Sequence, residues 1–249
     1  MSMVMLNLLL MFVFIYMIIP YVITRIWGFG VTLRGRRGRQ IAFTFDDGPD
    51  PLHTPKLLDL LKKKRIKVTF FVLGSKAERY PELMKRIHME GHQIGIHNYS
   101  HLPNWLMSPR HIRNKHVHRS ADIIERITGE RPAFYRPPWG ILNLGDLFAL
   151  RKYRIVLWSI MGWDWGKGSK NKPLKERILD QLEPGSIILL HDSGDTWGAE
   201  PDAPSRMIAS LEEVIDTVHI QGYECVRADE LLHKPHDSRS DLSKGFRVG

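Results

Sequence analysis

The alternation of apolar and polar stretches along the chain predicts an α/β protein. From Gln40 onward, short runs rich in β-branched and aromatic residues alternate with amphipathic helical stretches. The predicted strands are 41–46, 67–72, 94–96, 133–135, 154–158, 186–190 and 223–226. Apolar strands separated by helices are typical of parallel βα units whose sheet is covered on both faces. An open doubly wound sheet and a closed barrel are both compatible with this pattern.

Proline and hydroxyl residues mark where the predicted helices begin. Thr54 and Pro55 open the first helix after Gln40, as its N-cap and its first helical residue. Ser75 and Glu78 have the spacing of a capping box, in which two side chains satisfy backbone N–H groups at the start of a helix. We therefore expect a helix to begin at each of these two places.

An uninterrupted apolar run opens the chain. No charged side chain precedes Arg25, and about twenty apolar residues are enough to cross a bilayer as a helix. A cleaved signal peptide is the alternative, but its basic start is missing and no alanine precedes Ala42 to form a cleavage site. We therefore expect residues 1–27 to be an uncleaved membrane anchor and residues 28–39 to be a basic linker.

Composition narrows the choice of partners. A formal net charge of +9 suits a protein that works beside anionic polymers or lipid head groups. No basic stripe with interleaved aromatic residues is present, so we expect no nucleic-acid partner. Neither G-x-G-x-x-G nor a Walker sequence follows a predicted strand, which argues against nucleotide binding. Cys225 is the only cysteine, so no intramolecular disulfide can form.

Polar clusters follow five of the predicted strands. In chain order they are Asp46 and Asp47, HNYSH at 97–101, RPPWG at 136–140, GWDW at 162–165, and HD at 191–192. The carboxyl ends of parallel strands share one edge, where loops converge on a common site. The clusters therefore predict one functional site at that edge.

Two of these clusters contain the ligand types of a metal site. His97 and His101 are four residues apart, a spacing that can direct two imidazoles to one ion. With a carboxylate from a neighbouring strand they form a two-His, one-Asp set that leaves open positions for water. One of Asp46 and Asp47 could then be neutralised by a divalent cation while the other stays free as a base.

The motifs together resemble a known family. TFDDG (44–48), H-x-x-x-H (97–101), RPPWG (136–140), DW (164–165) and LLH (189–191) have the order and spacing of the NodB-type polysaccharide deacetylases, carbohydrate esterase family 4. The resemblance covers about residues 38–232 and implies a distorted (β/α) barrel with about seven parallel strands. We therefore expect a deacetylase domain over residues 40–235, preceded by the transmembrane helix and followed by a polar tail over residues 236–249.

The resemblance implies a metal centre and a base. Asp47, His97 and His101 would hold a divalent ion, with zinc as the first choice and cobalt, nickel or manganese as alternatives. Asp46 would be the general base that deprotonates the catalytic water. Arg136 would pair with Asp46 and keep it ionised.

It also implies an acid and a substrate groove. His191 would protonate the leaving amine, and Asp164 would orient it. Trp165 and Leu189 would line the groove around the acetyl methyl group, and the backbone N–H of Trp139 would help to hold the oxyanion.

Three positions depart from the common form of these motifs. Asn98 stands where Ser or Thr is usual, Trp139 where Tyr or Phe is commoner, and Met161 where many relatives carry another acidic residue. None of the three replaces a ligand, the base or the acid, so we expect an active enzyme with substrate contacts near Met161 that differ from those of its relatives.

The expected function is metal-dependent hydrolysis of N-acetyl groups on amino-sugar polysaccharides. Peptidoglycan is the favoured substrate because an anchored basic domain would lie beside an anionic wall. Chitooligosaccharides and acetylxylan are alternatives, as is a non-catalytic glycan-binding module, although binding alone requires neither Asp46 nor His191.

Orientation in the membrane depends on two conflicting signals. The cluster RGRRGR at 34–39 favours a cytoplasmic domain under the positive-inside tendency, which would suit a cytosolic metal-dependent amidase. Polysaccharide substrates lie outside the cell. We therefore expect a monomeric, single-pass protein of the cell membrane with an extracytoplasmic catalytic domain.

Overall fold

The computed structural model describes residues 2–35, 38–166 and 172–232, and parallel strands form its centre. The strands are β1 (Gln40–Asp46), β2 (Thr69–Val72), β3 (Gln93–Ile96), β4 (Phe134–Tyr135), β5 (Arg154–Ile155), β6 (Ile160–Met161), β7 (Ile187–His191) and β8 (Glu224–Cys225). Seven of them form a parallel half-barrel in the order β5-β4-β3-β2-β1-β7-β6, and β8 pairs with the start of β1. The predicted barrel of about seven parallel strands is confirmed.

The strands at the two ends of the half-barrel differ from the sequence prediction. The run 154–158 was expected to be one strand, but β5 ends at Ile155 and β6 is an additional strand. Between them the chain crosses from one end of the half-barrel to the other, because β5 pairs with β4 and β6 pairs with β7. Thr32 forms a parallel bridge with Val156 and Arg34 an antiparallel bridge with Ser186, so the segment before β1 lies across this opening.

Helices cover the outside of the half-barrel. They are Met3–Ile26, Thr54–Lys64, Gly74–Arg79, Pro81–Met89, Pro109–His111, Arg119–Thr128, Asp146–Ala149, Leu174–Leu179, Ala203–Ile220 and Ala228–Leu232, with π-helical segments at Phe14–Ile18 and Ile112–His118 and 3₁₀ turns at Asn104–Leu106 and Pro138–Gly140. The strand residues beneath them are almost all buried, including Phe43, Phe45, Phe70 and Phe71. Burial on both faces leaves the loops at the carboxyl edge to form the site.

One of the two predicted helix starts is correct. The helix Thr54–Lys64 has proline in its first turn, one residue from the expected position. The capping box of Ser75 and Glu78 is wrong: that helix begins at Gly74, and the Glu78 carboxylate instead accepts a hydrogen bond of 2.8 Å from the hydroxyl of Tyr99. A tertiary contact therefore replaces the local cap.

The N-terminal helix is apolar and partly packed on the barrel. Met3–Ile26 has a mean hydropathy of 2.4 and is long and apolar enough to cross a membrane. Its second half contacts the domain: Thr24 is buried, and the Arg25 guanidinium stacks 4.1 Å from the ring centre of Trp158. The polar tail expected at 236–249 and part of the basic cluster at 34–39 lie outside the described residues.

Candidate active site

The predicted site residues meet at the carboxyl edge of the half-barrel. Asp46 ends β1 and His191 ends β7, while His97 and Arg136 directly follow β3 and β4. Asp164 follows the additional strand β6, and not the fifth strand as the sequence suggested. The site thus draws on five strands, which explains why residues far apart in sequence come together.

Asp47, His97 and His101 form a group that could hold a metal ion. Their donor atoms all lie within 4.8 Å of one another. The Nε2 atoms of His97 and His101 are each 3.4 Å from Asp47 Oδ1. Asp47 has a positive φ of 76°, which turns the chain sharply after β1 and separates this carboxylate from that of Asp46.

Hydrogen bonds leave one face of this group free for an ion. Thr196 donates to Asp47 Oδ2 at 2.8 Å, while Asp47 Oδ1 is buried without a hydrogen-bond partner. His97 Nδ1 lies 2.8 Å from the carbonyl oxygen of Arg136. Donation from Nδ1 leaves the Nε2 lone pair directed to Asp47, as a metal-ligating histidine requires. An orphaned buried carboxylate oxygen facing two imidazole nitrogens fits a divalent cation.

Charge states support the same interpretation. Burial lowers the pKa of His101 to about 4, so its imidazole is neutral and available as a ligand. Burial raises the pKa of Asp47, but the adjacent imidazoles of His97, His101 and His191 lower it more, and the net pKa lies well below its usual value. Two imidazoles and one carboxylate are the donor set of many hydrolytic metal centres.

Asp46 is held by a buried arginine. Arg136 is fully buried and its Nη1 donates to Asp46 Oδ1 at 2.7 Å and to the Thr44 hydroxyl at 2.8 Å. Its Nε and Nη2 donate to the carbonyl oxygens of Val156 and Leu157, each at 2.9 Å. All three guanidinium nitrogens donate hydrogen bonds, so the arginine and the carboxylate are fixed together.

His191 is held by the carboxylate of Asp164. Its Nδ1 and its backbone N–H both contact Asp164, at 2.9 Å and 2.8 Å. Burial alone would lower the pKa of His191, but Asp164, with smaller contributions from Asp47 and Asp46, raises it to about 9. The imidazole is therefore a protonated group at neutral pH and can act as an acid.

Gly48 allows the turn after β1 to approach β7 closely. A Cβ atom at this glycine would lie 2.3 Å from Asp192 Oδ2, a distance that no side chain tolerates. Asp192 is itself buried and accepts a hydrogen bond of 2.5 Å from the Thr54 hydroxyl. The glycine of the TFDDG motif is thus required by packing beneath the site.

A small cavity of about 90 Å³ opens beside Asp46 and His191. Its lining includes all three expected groove residues, Trp139, Trp165 and Leu189, together with Met161. The ring of Trp165 meets that of His191 edge to face at 5.1 Å. The ring of Trp139 packs 4.2 Å from that of His101, on a backbone with a positive φ of 56°.

Sequence reasoning missed several residues of the site. Thr196 and Trp197 lie in the loop after β7, and Trp158 lies between β5 and β6; all three line the cavity. The ring of Trp163 stacks on that of Trp165, and the two ring centres are 5.2 Å apart. Thr196 and Trp197 belong to no recognised motif. Trp163 and Trp165 are two residues apart within GWDW, and this spacing could have indicated an aromatic pair.

A carboxylate and a protonated imidazole next to a group that can hold a metal form an arrangement used by amide and ester hydrolases. Comparisons with known proteins narrow this class. The family model "Polysaccharide deacetylase" matches residues 34–155. The chain belongs to the polysaccharide deacetylase family, which confirms the resemblance identified from the five motifs.

Two curated relatives are named as peptidoglycan deacetylases. The chain is 37% identical over 191 residues to the peptidoglycan-N-acetylmuramic acid deacetylase PdaC of Bacillus subtilis. This alignment covers 77% of this chain and 38% of PdaC. The chain is 39% identical over 176 residues to a peptidoglycan-N-acetylglucosamine deacetylase of Bacillus cereus, covering 70% of this chain and 63% of the relative. The chain therefore spans less than two thirds of the length of either relative.

A solved structure has the same fold over most of its length. The crystal structure of a peptidoglycan N-acetylglucosamine deacetylase in complex with 4-naphthalen-1-yl-N-oxidanyl-benzamide matches with a TM-score of 0.73 and 32% sequence identity. The match covers 83% of this chain and 94% of that one.

Proposed function

We propose that this protein is a metal-dependent N-deacetylase that acts on the amino sugars of peptidoglycan. The reaction adds water to an acetamido group and yields acetate and a free amine. The observation that carries the proposal is the placement of two paired groups, Asp46 with Arg136 and His191 with Asp164, around Asp47, His97 and His101.

Each step is assigned to a residue with suitable neighbours. When bound, a divalent ion at Asp47, His97 and His101 would lower the pKa of water toward neutrality and polarise the acetyl carbonyl. Asp46 takes the proton of the attacking water, and its 2.7 Å bond to Arg136 holds the carboxylate in position.

The remaining steps concern the leaving group. As the C–N bond breaks, His191 gives its proton to the amine nitrogen, and Asp164 supports the imidazolium before that transfer. The backbone N–H of Trp139 donates to the carbonyl oxygen as negative charge develops there.

The size of the cavity supports an N-acetyl substrate on a longer sugar chain. A cavity of about 90 Å³ suits a small substituent such as an acetyl group better than a whole sugar ring. The sugar rings must then remain outside, where Trp163 and Trp197 are exposed on either side of the pocket. Exposed aromatic faces commonly pack against the apolar faces of sugar rings.

The named relatives favour peptidoglycan over chitooligosaccharides or acetylxylan. They divide between N-acetylmuramic acid and N-acetylglucosamine as the sugar that is deacetylated. We assign this chain to the same polymer and place it at the membrane through residues 1–27, with the catalytic domain outside.

The direct test is acetate release by the purified full chain in detergent. Peptidoglycan, chitooligosaccharides and acetylxylan are supplied in parallel, and Asp46→Asn serves as the inactive control. Release from peptidoglycan that exceeds release from the other two supports the proposal. Release only from acetylxylan would make the protein an O-acetyl esterase, and binding without release in any arm would make it a glycan-binding module.

A further inference from the structure

Exposed apolar side chains gather on one face of the domain, beside the N-terminal helix. Leu106 and Phe148 are 75% and 72% exposed, and Leu102, Trp105 and Leu144 are also exposed. We call these five residues the apolar face. Scattered exposed apolar residues are ordinary, but a contiguous group usually marks a binding surface.

Hydrogen bonds show that the apolar face is continuous with the helix. The Asn143 side chain donates to the carbonyl oxygen of Asn104 at 3.2 Å, which joins the two segments that carry these residues. The backbone N–H of Leu144 donates to the carbonyl oxygen of Tyr16, in the middle of the helix, at 3.2 Å. Any surface that receives the exposed side of the helix therefore also meets the apolar face.

Positive charge borders the apolar face. The stretch 102–119 contains four lysines and arginines and no acidic residue. Arg113, Arg151, Lys152 and Phe148 line one open cavity of about 570 Å³. Within the described residues, none of these three cations forms an ion pair, so their charges are available to an external anion.

The length of free helix brings the domain close to lipid. Residues 3–12 are exposed, whereas one side of the helix packs on the domain from Val13 onward. Ten residues at 1.5 Å each extend about 15 Å, roughly half of the hydrocarbon thickness of a bilayer. With the helix packed in this way, an apolar N-terminus cannot enter a bilayer unless the neighbouring domain surface reaches the head groups.

We propose that the apolar face rests on the surface of a lipid bilayer, with anionic head groups held by Arg113, Arg151 and Lys152. This inference rests on the proposed membrane anchor and goes beyond it, because it gives the catalytic domain a fixed face toward the membrane. Aromatic residues suit the boundary between water and lipid, and basic residues are attracted to an anionic lipid surface. His101 directly precedes Leu102, so the metal group lies beside this boundary.

The test uses a fluorescent label whose emission reports contact with lipid. Phe148→Cys is labelled in the full chain, and the protein is added to vesicles of equal parts phosphatidylcholine and phosphatidylglycerol with brominated acyl chains. Ile220→Cys is the matched control, because Ile220 is 84% exposed and ends the helix Ala203–Ile220, which carries no residue of the apolar face. The native Cys225 is half-buried and its pKa is raised to about 12 by burial, so it labels slowly.

The proposal predicts strong quenching and a blue shift at position 148 and neither at position 220. The double variant Arg113→Glu/Arg151→Glu should reduce the quenching several-fold, whereas Lys56→Glu/Lys62→Glu, an equal charge change on another helix, should not. If the protein binds to the vesicles but neither label shows quenching or a blue shift, the proposal is overturned. A response at position 148 to a soluble anionic wall polymer and not to vesicles would also overturn it. Acetate release from chitooligosaccharides, measured on the same samples, tests the enzymatic function separately.

Discussion

Asp46 and His191 are register partners on the adjacent parallel strands β1 and β7, and each is the last residue of its strand. Register partners present their side chains on the same face of a sheet, so both groups face the cavity. Their neighbours differ in charge: Arg136 contacts Asp46 and Asp164 contacts His191. One pair of strands thus presents side by side a carboxylate and an imidazolium, the groups that the proposed mechanism uses as base and acid.

Asp164→Asn should move the alkaline limb of the pH profile. The negative charge of Asp164 raises the pKa of His191, so its removal lowers that pKa. An acid works only while protonated, and activity in the variant should therefore be lost at a lower pH than in the parent. The profile of kcat/KM against pH measures this, with the exposed Asp180→Asn as control. An unmoved limb with a uniformly lower rate would show that Asp164 acts only by orientation.

Arg136→Met should destabilise the fold as well as reduce activity. It leaves the buried Asp46 carboxylate without its partner, a change that costs about 3–5 kcal/mol in typical proteins. Urea unfolding gives the free energy of unfolding directly. Lys85→Met breaks the exposed pair with Glu82 and should change little. Equal effects of the two substitutions would contradict the role given to the buried pair.

Thr196→Val should weaken metal binding while leaving the fold intact. The hydroxyl of Thr196 orients Asp47 through Oδ2, and loss of such a supporting contact typically costs about 10–100-fold in metal affinity. Titration of the metal-free protein with zinc measures the affinity. Thr217→Val, which removes a hydroxyl bond on the helix Ala203–Ile220, is the matched control. Unchanged zinc affinity in Thr196→Val would mean that Asp47 needs no such support.

Trp197→Ala should affect polymers more than short substrates. Trp197 is 86% exposed at the rim of the cavity, and its ring meets that of Trp139 at 6.5 Å. Loss of one aromatic contact of about 1 kcal/mol raises KM about fivefold for a long glycan with little change in kcat. Phe148→Ala, at an exposed residue that does not line this cavity, should leave both constants unchanged on soluble substrates. A fall in kcat alone would show that Trp197 acts on the reacting group.

The sequence predicted the site better than the exact strands. Asp46 and His191 end their strands, and His97 and Arg136 directly follow theirs; the carboxyl ends of these strands share one edge, so the alternation of strands and helices was enough to bring the four residues together. Strand β6 was not predicted because two residues are too few to show the alternating pattern of a strand. Only its pairing with β7 makes it a strand.

Other features depend on contacts that no local pattern encodes. A Cβ atom on Gly74 would lie 2.2 Å from the Ser120 hydroxyl, so tertiary packing at the start of that helix outweighs the Ser75 and Glu78 cap signal. Thr196 reaches Asp47 across 149 positions of sequence. Its role is visible only once the loop after β7 has been placed over the site.

The division of labour between Asp46 and Asp47 is the central claim, and paired amide substitutions test it most directly. Metal content and turnover are measured on the same samples of Asp46→Asn and Asp47→Asn. Asp46→Asn should keep its metal and lose about 10²–10⁴-fold in kcat, as expected for a lost base, without rescue by added metal. Asp47→Asn should lose metal, and excess zinc should restore part of its activity. Equal loss of metal in both variants would show that both carboxylates are ligands and would contradict the account.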